Sequence, residues 1–313
     1  MRRLSLVLLV GWLSWAPGAT AATQQPRPTF KTGTDLVAVT VVATRPSGQP
    51  ITDLKRGDFQ LLDNGHQRAI LDFESDATPV SLGLLVDLSG SMDVAERRSA
   101  TREVIGHILS WLTPTTDRVG LFGFDTRLQE LEPMGPAPGS VLERLDTVRP
   151  YGSTSLYDAI AETGRRLATA GRTRHAVVAL TDGADNSSRL SPAEVSAVAS
   201  AIDVPIYIFV VVSPLDRSGQ TTFDEGALTA VLNGRLGDLA RWTGGAIFAA
   251  TGPAQTSIAA RQIVTELRHQ YLIGFEPDTQ PGWHTIEVRA LQKDVIVRAR
   301  SGYIVPSRPN AFR

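Results

Sequence analysis

Cysteine is absent from all 313 residues. That absence excludes disulfides, cysteine nucleophiles, thiolate metal sites and iron–sulfur chemistry, and leaves core packing and bound metal to stabilise the chain. An excess of positive charge is also missing. Lys plus Arg number 31 against 32 Asp plus Glu, and no dense basic run appears, so the basic stripe of a nucleic-acid binder is lacking. Past the first residues, no segment approaches the ~20 apolar residues a membrane helix needs. Of the five histidines (His66, His107, His175, His269, His284), no two have the spacing of a metal pair on a helix. His107, inside Val104–Leu109, reads as a packing residue. No internal repeat is apparent. What remains is 42% hydrophobic and 20% charged, a globular balance with enough material for a large core and about two domains.

The N-terminus has the form of a secretory signal. Arg2 and Arg3 give the positive start, Leu4 to Trp15 the apolar stretch, and Ala19-Thr20-Ala21 the small-residue cleavage pattern. The expectation is that residues 1–21 are cleaved and that no integral membrane segment follows. The mature protein is then secreted or periplasmic. Residues 22–34, rich in Gln, Pro and Thr, read as a flexible lead.

Residues 35–77 carry β signals. Leu36 to Val42 is closed by the turn Arg45–Pro50, and Phe59–Asp63 alternates up to the hairpin turn Asn64-Gly65, with Ala69–Phe73 as the returning strand. Between residues 78 and 270 the pattern changes. Strand segments 80–86, 118–124, 175–181, 204–212 and 245–250 alternate with helical segments 93–112, 139–147, 155–170, 192–201, 228–242 and 254–270. Such alternation predicts an α/β fold, a doubly wound, mostly parallel sheet with helices on both faces. Segments 125–139 and 213–231 read as loops, the second expected to flank the site described below. From 271 to 306 the β signal returns, and residues 307–313 form a tail. The two flanking segments are expected to pair in one small all-β module, because isolated hairpins are marginal.

Two apolar runs end on oxygen donors. Val80–Val86 leads into Asp87-Leu88-Ser89-Gly90-Ser91, and Ala176–Leu180 into Thr181-Asp182-Gly183. Between them lies Gly152-Ser153-Thr154-Ser155. Open parallel sheets gather their binding loops at the carboxyl ends of the strands, so these distant residues can meet. Asp87, Ser89 and Ser91 fall on one side of a tight loop that Gly90 is expected to permit. Thr154 can add a hydroxyl, and Asp182 can bond directly or through water. Hard oxygen donors of this kind suit Mg²⁺, with a position left open for an outside carboxylate. Each piece also has a plain alternative. Ser91 can cap a helix starting near Met92, Asp158 can favour its helix dipole, Asp182-Gly183 can be a turn, and Asp185-Asn186-Ser187 a solvated loop.

This set resembles the metal-ion-dependent adhesion site of von Willebrand factor type A domains, and residues 78–270 resemble that family's Rossmann-like order. Ile51–Leu54, Asp58-Phe59 and Ser301-Gly302-Tyr303 resemble a secreted bacterial subgroup, many from Acidobacteria. The resemblance implies Asp87, Ser89, Ser91, Thr154 and Asp182 as the metal set, for Mg²⁺, Mn²⁺ or Ca²⁺. It also implies a protein partner whose Asp or Glu completes the coordination, and no enzymatic activity.

Two other functions compete. In one, the metal site is vestigial and the chain has a structural or assembly role. In the other, the chain is a hydrolase with Ser89 or Ser91 as nucleophile, His175 as base and Asp182 as orienter. No Gly-x-Ser-x-Gly elbow supports the latter. His175 also stands at the start of its strand, the wrong end for Ser89. A metal-dependent phosphatase would want a nucleophilic carboxylate or two metals, and Asp87 is the only acid in its loop.

Overall fold

The computed structural model describes residues 36–136, 139–168, 174–183, 185–201, 203–211, 234–250 and 253–306. The signal, the lead, loop 213–231, the start of helix 228–242 and the tail lie outside the described residues. Four strands come first, β1 (Val37–Thr44), β2 (Phe59–Asp63), β3 (His66–Arg68) and β4 (Ile70–Glu74). The central part contains β5 (Val80–Asp87), α1 (Ala95–Trp111), β6 (Arg118–Phe124), β7 (Leu128–Pro136), α2 (Ser140–Thr147) and α3 (Leu156–Ala168). It continues through β8 (Arg174–Thr181), α4 (Pro192–Ala201), β9 (Ile206–Val211), α5 (Arg235–Trp242), β10 (Ile247–Ala250) and α6 (Pro253–Arg268). β11 (Tyr271–Phe275), β12 (Gly282–Ala290), β13 (Ile296–Ala299) and β14 (Gly302–Val305) close the chain. Among the described residues no helix is long and apolar enough to cross a membrane.

The central sheet runs in the order β10-β9-β8-β5-β6-β7 and is parallel except at β7. All eight residues of β5 are buried, as expected of a parallel strand covered on both faces. Leu82, Leu84 and Val86 pack with Val104, Ile105 and Ile108 of α1 and Ile263, Val264 and Leu267 of α6. Leu85 faces the opposite layer, with Ile160 and Leu167 of α3, Val195 of α4 and Leu239 of α5. Each fully buried Leu or Ile contributes roughly 1.5–3 kcal/mol. Gly83 lets α3 approach closely, since a Cβ there would stand 2.9 Å from Leu167 Cδ1.

Segment 125–139 departs from expectation. Residues 128–136 form β7, which pairs antiparallel with β6 as an edge strand. Pro133, Gly135 and Pro136 gave the segment its loop-like composition, and an edge position tolerates such residues because one side of the strand needs no ladder donors.

The flanking segments form two four-stranded antiparallel sheets, β13-β1-β11-β4 and β14-β12-β2-β3. Each sheet draws strands from both ends of the chain, so the expected all-β module is present. Its core joins Val39 and Val41 of β1, Leu61 of β2, Tyr271 and Ile273 of β11, and Val288 of β12. Asn64 (φ 49°) and Gly65 (φ 79°) make the tight turn. The returning strand, however, is His66–Arg68, while Ile70–Glu74 crosses to the other sheet and pairs with β11.

Tyr271 fastens the two ends of the chain together. Its hydroxyl donates to the Ile51 carbonyl at 2.7 Å and accepts from the Leu54 amide at 3.2 Å, while its ring packs on Phe59 and Phe73. Tyr271→Phe keeps the ring and strands two buried backbone groups. The expected loss is about 1–3 kcal/mol in equilibrium denaturation. A loss near zero would show that Ile51 and Leu54 find other partners.

Candidate metal centre

β5 ends on Asp87, whose side chain is almost wholly buried at 1% exposure. One carboxylate oxygen accepts the Ser89 amide at 2.9 Å, which turns the chain immediately. The other accepts the Thr181 hydroxyl at 2.7 Å, linking the ends of the adjacent parallel strands β5 and β8. The Thr181 hydroxyl accepts in turn from the Gly183 amide at 3.1 Å, which folds the Asp182 loop over the strand end.

The Ser89 and Ser91 hydroxyls lie 3.0 Å apart. Gly90–Met92 is a single 3-10 turn, and α1 begins only at Ala95 after Val94, with no side-chain cap. Ser91 therefore does not cap α1, and its exposed hydroxyl faces Ser89 instead. The reading of Gly90 also needs correction. Its φ is not positive, and a Cβ there would only reach ordinary contact with the Gly152 carbonyl at 3.8 Å. The left-handed positions of the site are Gly152 (φ 98°) and Gly183 (φ 92°).

Thr154 sits in a loop pinned from both sides. The Tyr151 amide donates to the Leu88 carbonyl at 2.6 Å, and the Gly90 amide to the Gly152 carbonyl at 3.1 Å. From the other side, Asn186 Oδ1 accepts the Thr154 amide at 2.9 Å, while the Asn186 and Ser187 amides donate to the Thr154 carbonyl. Asp185 accepts the Tyr157 amide at 3.1 Å, and the Asp158 carboxylate accepts the Arg189 and Leu190 amides. Asp185-Asn186-Ser187 is thus the clasp between two site loops. Asp158 stands in the first turn of α3, as expected, and its carboxylate also holds residues 189–190. The structure brings the loops of all five residues to one sheet edge. Asp87, Ser89 and Thr154 are buried, Asp182 is half-buried and Ser91 is exposed.

Arg97 was missed from the sequence. It reaches from the first turn of α1 to Asp182 Oδ2 at 3.2 Å and to the Ser91 carbonyl at 2.6 Å. A cation in a helix's first turn opposes the helix dipole, and that was the available signal.

Burial pushes the Asp87 carboxyl above its ordinary value, and the neighbouring Asp182 charge adds to this. Hydrogen bonds from Ser89 and Thr181 pull the other way. Among the described residues, the hydrogen bonds do not fully offset the burial of an ionised Asp87. The donors fit a small hard cation. Adjacent ligands of an octahedral Mg²⁺ lie about 2.9 Å apart for bonds of roughly 2.0–2.1 Å, close to the separation of the two serine hydroxyls. Among the described residues there is no cluster of three or more His, Cys, Asp or Glu side chains able to hold a metal. A cation here must rely on two carboxylates and on hydroxyls.

Comparison with solved structures finds similar chains at low identity. A von Willebrand factor type A protein from Catenulispora acidiphila is 13% identical, with 81% of this chain and 76% of that one covered at a TM-score of 0.48. The conserved hypothetical protein BatB from Bacteroides thetaiotaomicron is 16% identical, covering 60% of this chain and 98% of that one, with a TM-score of 0.44. Proximal thread matrix protein 1 of the mussel byssus, with a zinc-occupied MIDAS motif, is 16% identical over 64% of this chain and 48% of its own, at 0.46. No curated protein matches. Residues 82–184 match the family model of the von Willebrand factor type A domain, and that stretch contains Asp87, Ser89, Ser91, Thr154 and Asp182.

Proposed function

We propose that this chain is an exported protein that binds a partner protein through a divalent cation, in adhesion or assembly. The metal set is Asp87, Ser89, Ser91, Thr154 and Asp182, and Mg²⁺ is the favoured ion, with Mn²⁺ and Ca²⁺ as other hard occupants. The single observation that carries the reading is the loop junction at the end of β5. There a buried carboxylate is held at 2.9 and 2.7 Å beside two hydroxyls only 3.0 Å apart. The match of residues 82–184 to the A-domain model supports it. When bound, the cation supplies an open coordination position that an Asp or Glu of the partner fills. The protein's own residues hold the donors and keep Asp87 out of bulk water.

Export rests on the N-terminal pattern of Arg2, Arg3, the apolar stretch and Ala19-Thr20-Ala21. We take residues 78–270 as the A domain and residues 35–77 with 271–306 as the β module. The Ser301-Gly302-Tyr303 ending of that module supports a place among secreted bacterial A-domain proteins.

The hydrolase reading loses its geometry. His175 pairs with Ser81, at the opposite end of β5 from Ser89. At about 3.3 Å per residue it stands roughly 20 Å from Thr181 along the strand. A structural role with a vestigial site keeps one observation in its favour, because Arg97 already neutralises part of the Asp182 charge.

Calorimetric titration with Mg²⁺ or Mn²⁺ tests the proposal. Asp87→Ala is expected to abolish binding while circular dichroism stays native, and unchanged affinity in that variant sinks the metal set. Capture of partners from envelope extract is expected to need the metal and to be lost with EDTA. Thermal melts across pH give a second check. With its folded value raised above 3.8, Asp87 holds more protons folded than unfolded between 3.8 and that value. In EDTA, stability should therefore fall as pH rises through this window. Added Mg²⁺ should reverse the loss, and melts indifferent to Mg²⁺ would count against the site.

A further inference from the structure

Arg97 bridges the two loops that carry the carboxylates of the site. It is the third residue of α1, where the helix dipole disfavours a cation, so specific partners must hold it there. Its partners include Asp182 Oδ2 at 3.2 Å and the Ser91 carbonyl at 2.6 Å, one on each loop. Neither charged side chain is far into water, with 14% of Arg97 and 11% of Asp182 exposed. At such sites the interaction between charges is screened far less than on an open surface. A guanidinium also stays charged at every accessible pH, so this positive group cannot be titrated away.

We propose that Arg97 is the resident counter-cation of Asp182 and sets how tightly the site holds a dication. The inference rests on the metal-dependent reading above. Without metal, the Arg97–Asp182 pair and the Ser91 contact hold loops 87–91 and 182–183 in register. A dication that uses Asp182, directly or through water, must share that carboxylate with a fixed positive charge a few ångströms away. Arg97 must then give up or share its partner. The sequence thus builds a site that keeps its shape when empty and gives up metal affinity in return. Arg97 is in this sense a positioning residue that also tunes affinity, and it takes no part in coordination.

The test is calorimetry of the purified protein with Mg²⁺ and Mn²⁺, comparing wild type with R97Q, R97M, R97K and D87A, alongside thermal melts in EDTA. Losing the charge in R97Q is expected to tighten Mg²⁺ binding by about tenfold or more and to lower the melting temperature in EDTA. Lysine keeps the charge, so R97K is expected to stay within about threefold of wild type. R97M keeps the unbranched stem and serves as the neutral variant if R97Q melts below the assay temperature. Binding in R97Q and R97M that equals or falls below wild type, while D87A binds nothing, overturns the role of Arg97 and leaves the metal site standing. No binding in any of the proteins overturns both. Binding seen only once the charge is removed supports the proposal in its strongest form, with Arg97 holding the site closed to metal.

Discussion

The burial of one ionisable group organises the site at the end of the central strand. Asp87 is the last residue of the central strand, it is inaccessible to solvent, and each of its oxygens is held by a different element. A buried carboxylate is costly unless hydrogen bonds and a positive charge compensate it. Here the Ser89 amide and the Thr181 hydroxyl supply the bonds, and they decide the local chain path. Through Ser89 the loop turns at once, and through Thr181 the ends of β5 and β8 are locked in register. Among the described residues, no full positive charge is paired with Asp87. That shortfall is the physical basis for expecting a cation.

The second organising constraint is closure of the chain on itself. Both sheets of the β module combine strands from residues 37–74 and 271–305, alternating in one sheet and joined through β12 and β2 in the other, so neither segment forms a layer alone. The module also grips the central domain. Asp203, held at φ 52°, accepts the amide and hydroxyl of Thr40, and the Ser301 amide donates to the Trp242 carbonyl at 2.8 Å. These contacts lie at the amino-end side of the parallel sheet or along its far edge, away from the loops that carry Asp87 and Thr154.

The legible parts of the sequence were those where pattern and physics coincide. The short, largely apolar runs before Asp87 and Thr181 read as buried parallel strands, and both are. Asn64-Gly65 predicted a two-residue turn and gave one, because two consecutive positive φ values suit few other pairs. Illegible parts were those whose composition is permissive. β7 carries two prolines because an edge strand tolerates them, which made it read as a loop. The switch of Ile70–Glu74 into the other sheet leaves no local trace, since a strand's alternation does not name its partner. Gly90 was read as the turn-maker, but the left-handed backbone falls on Gly152 and Gly183.

By itself, the sequence determined the alternating architecture and the strand ends at which oxygen-bearing side chains fall. These follow from hydrophobic periodicity and residue chemistry, which are local. Only the tertiary structure decided the connections between loops far apart in the chain. Asn186 clasps Thr154, Asp158 holds residues 189–190, and Arg97 spans from α1 to Asp182. Each depends on distances between elements brought together by packing, and a polar side chain on a loop or a helix's first turn has many possible partners until that packing selects one.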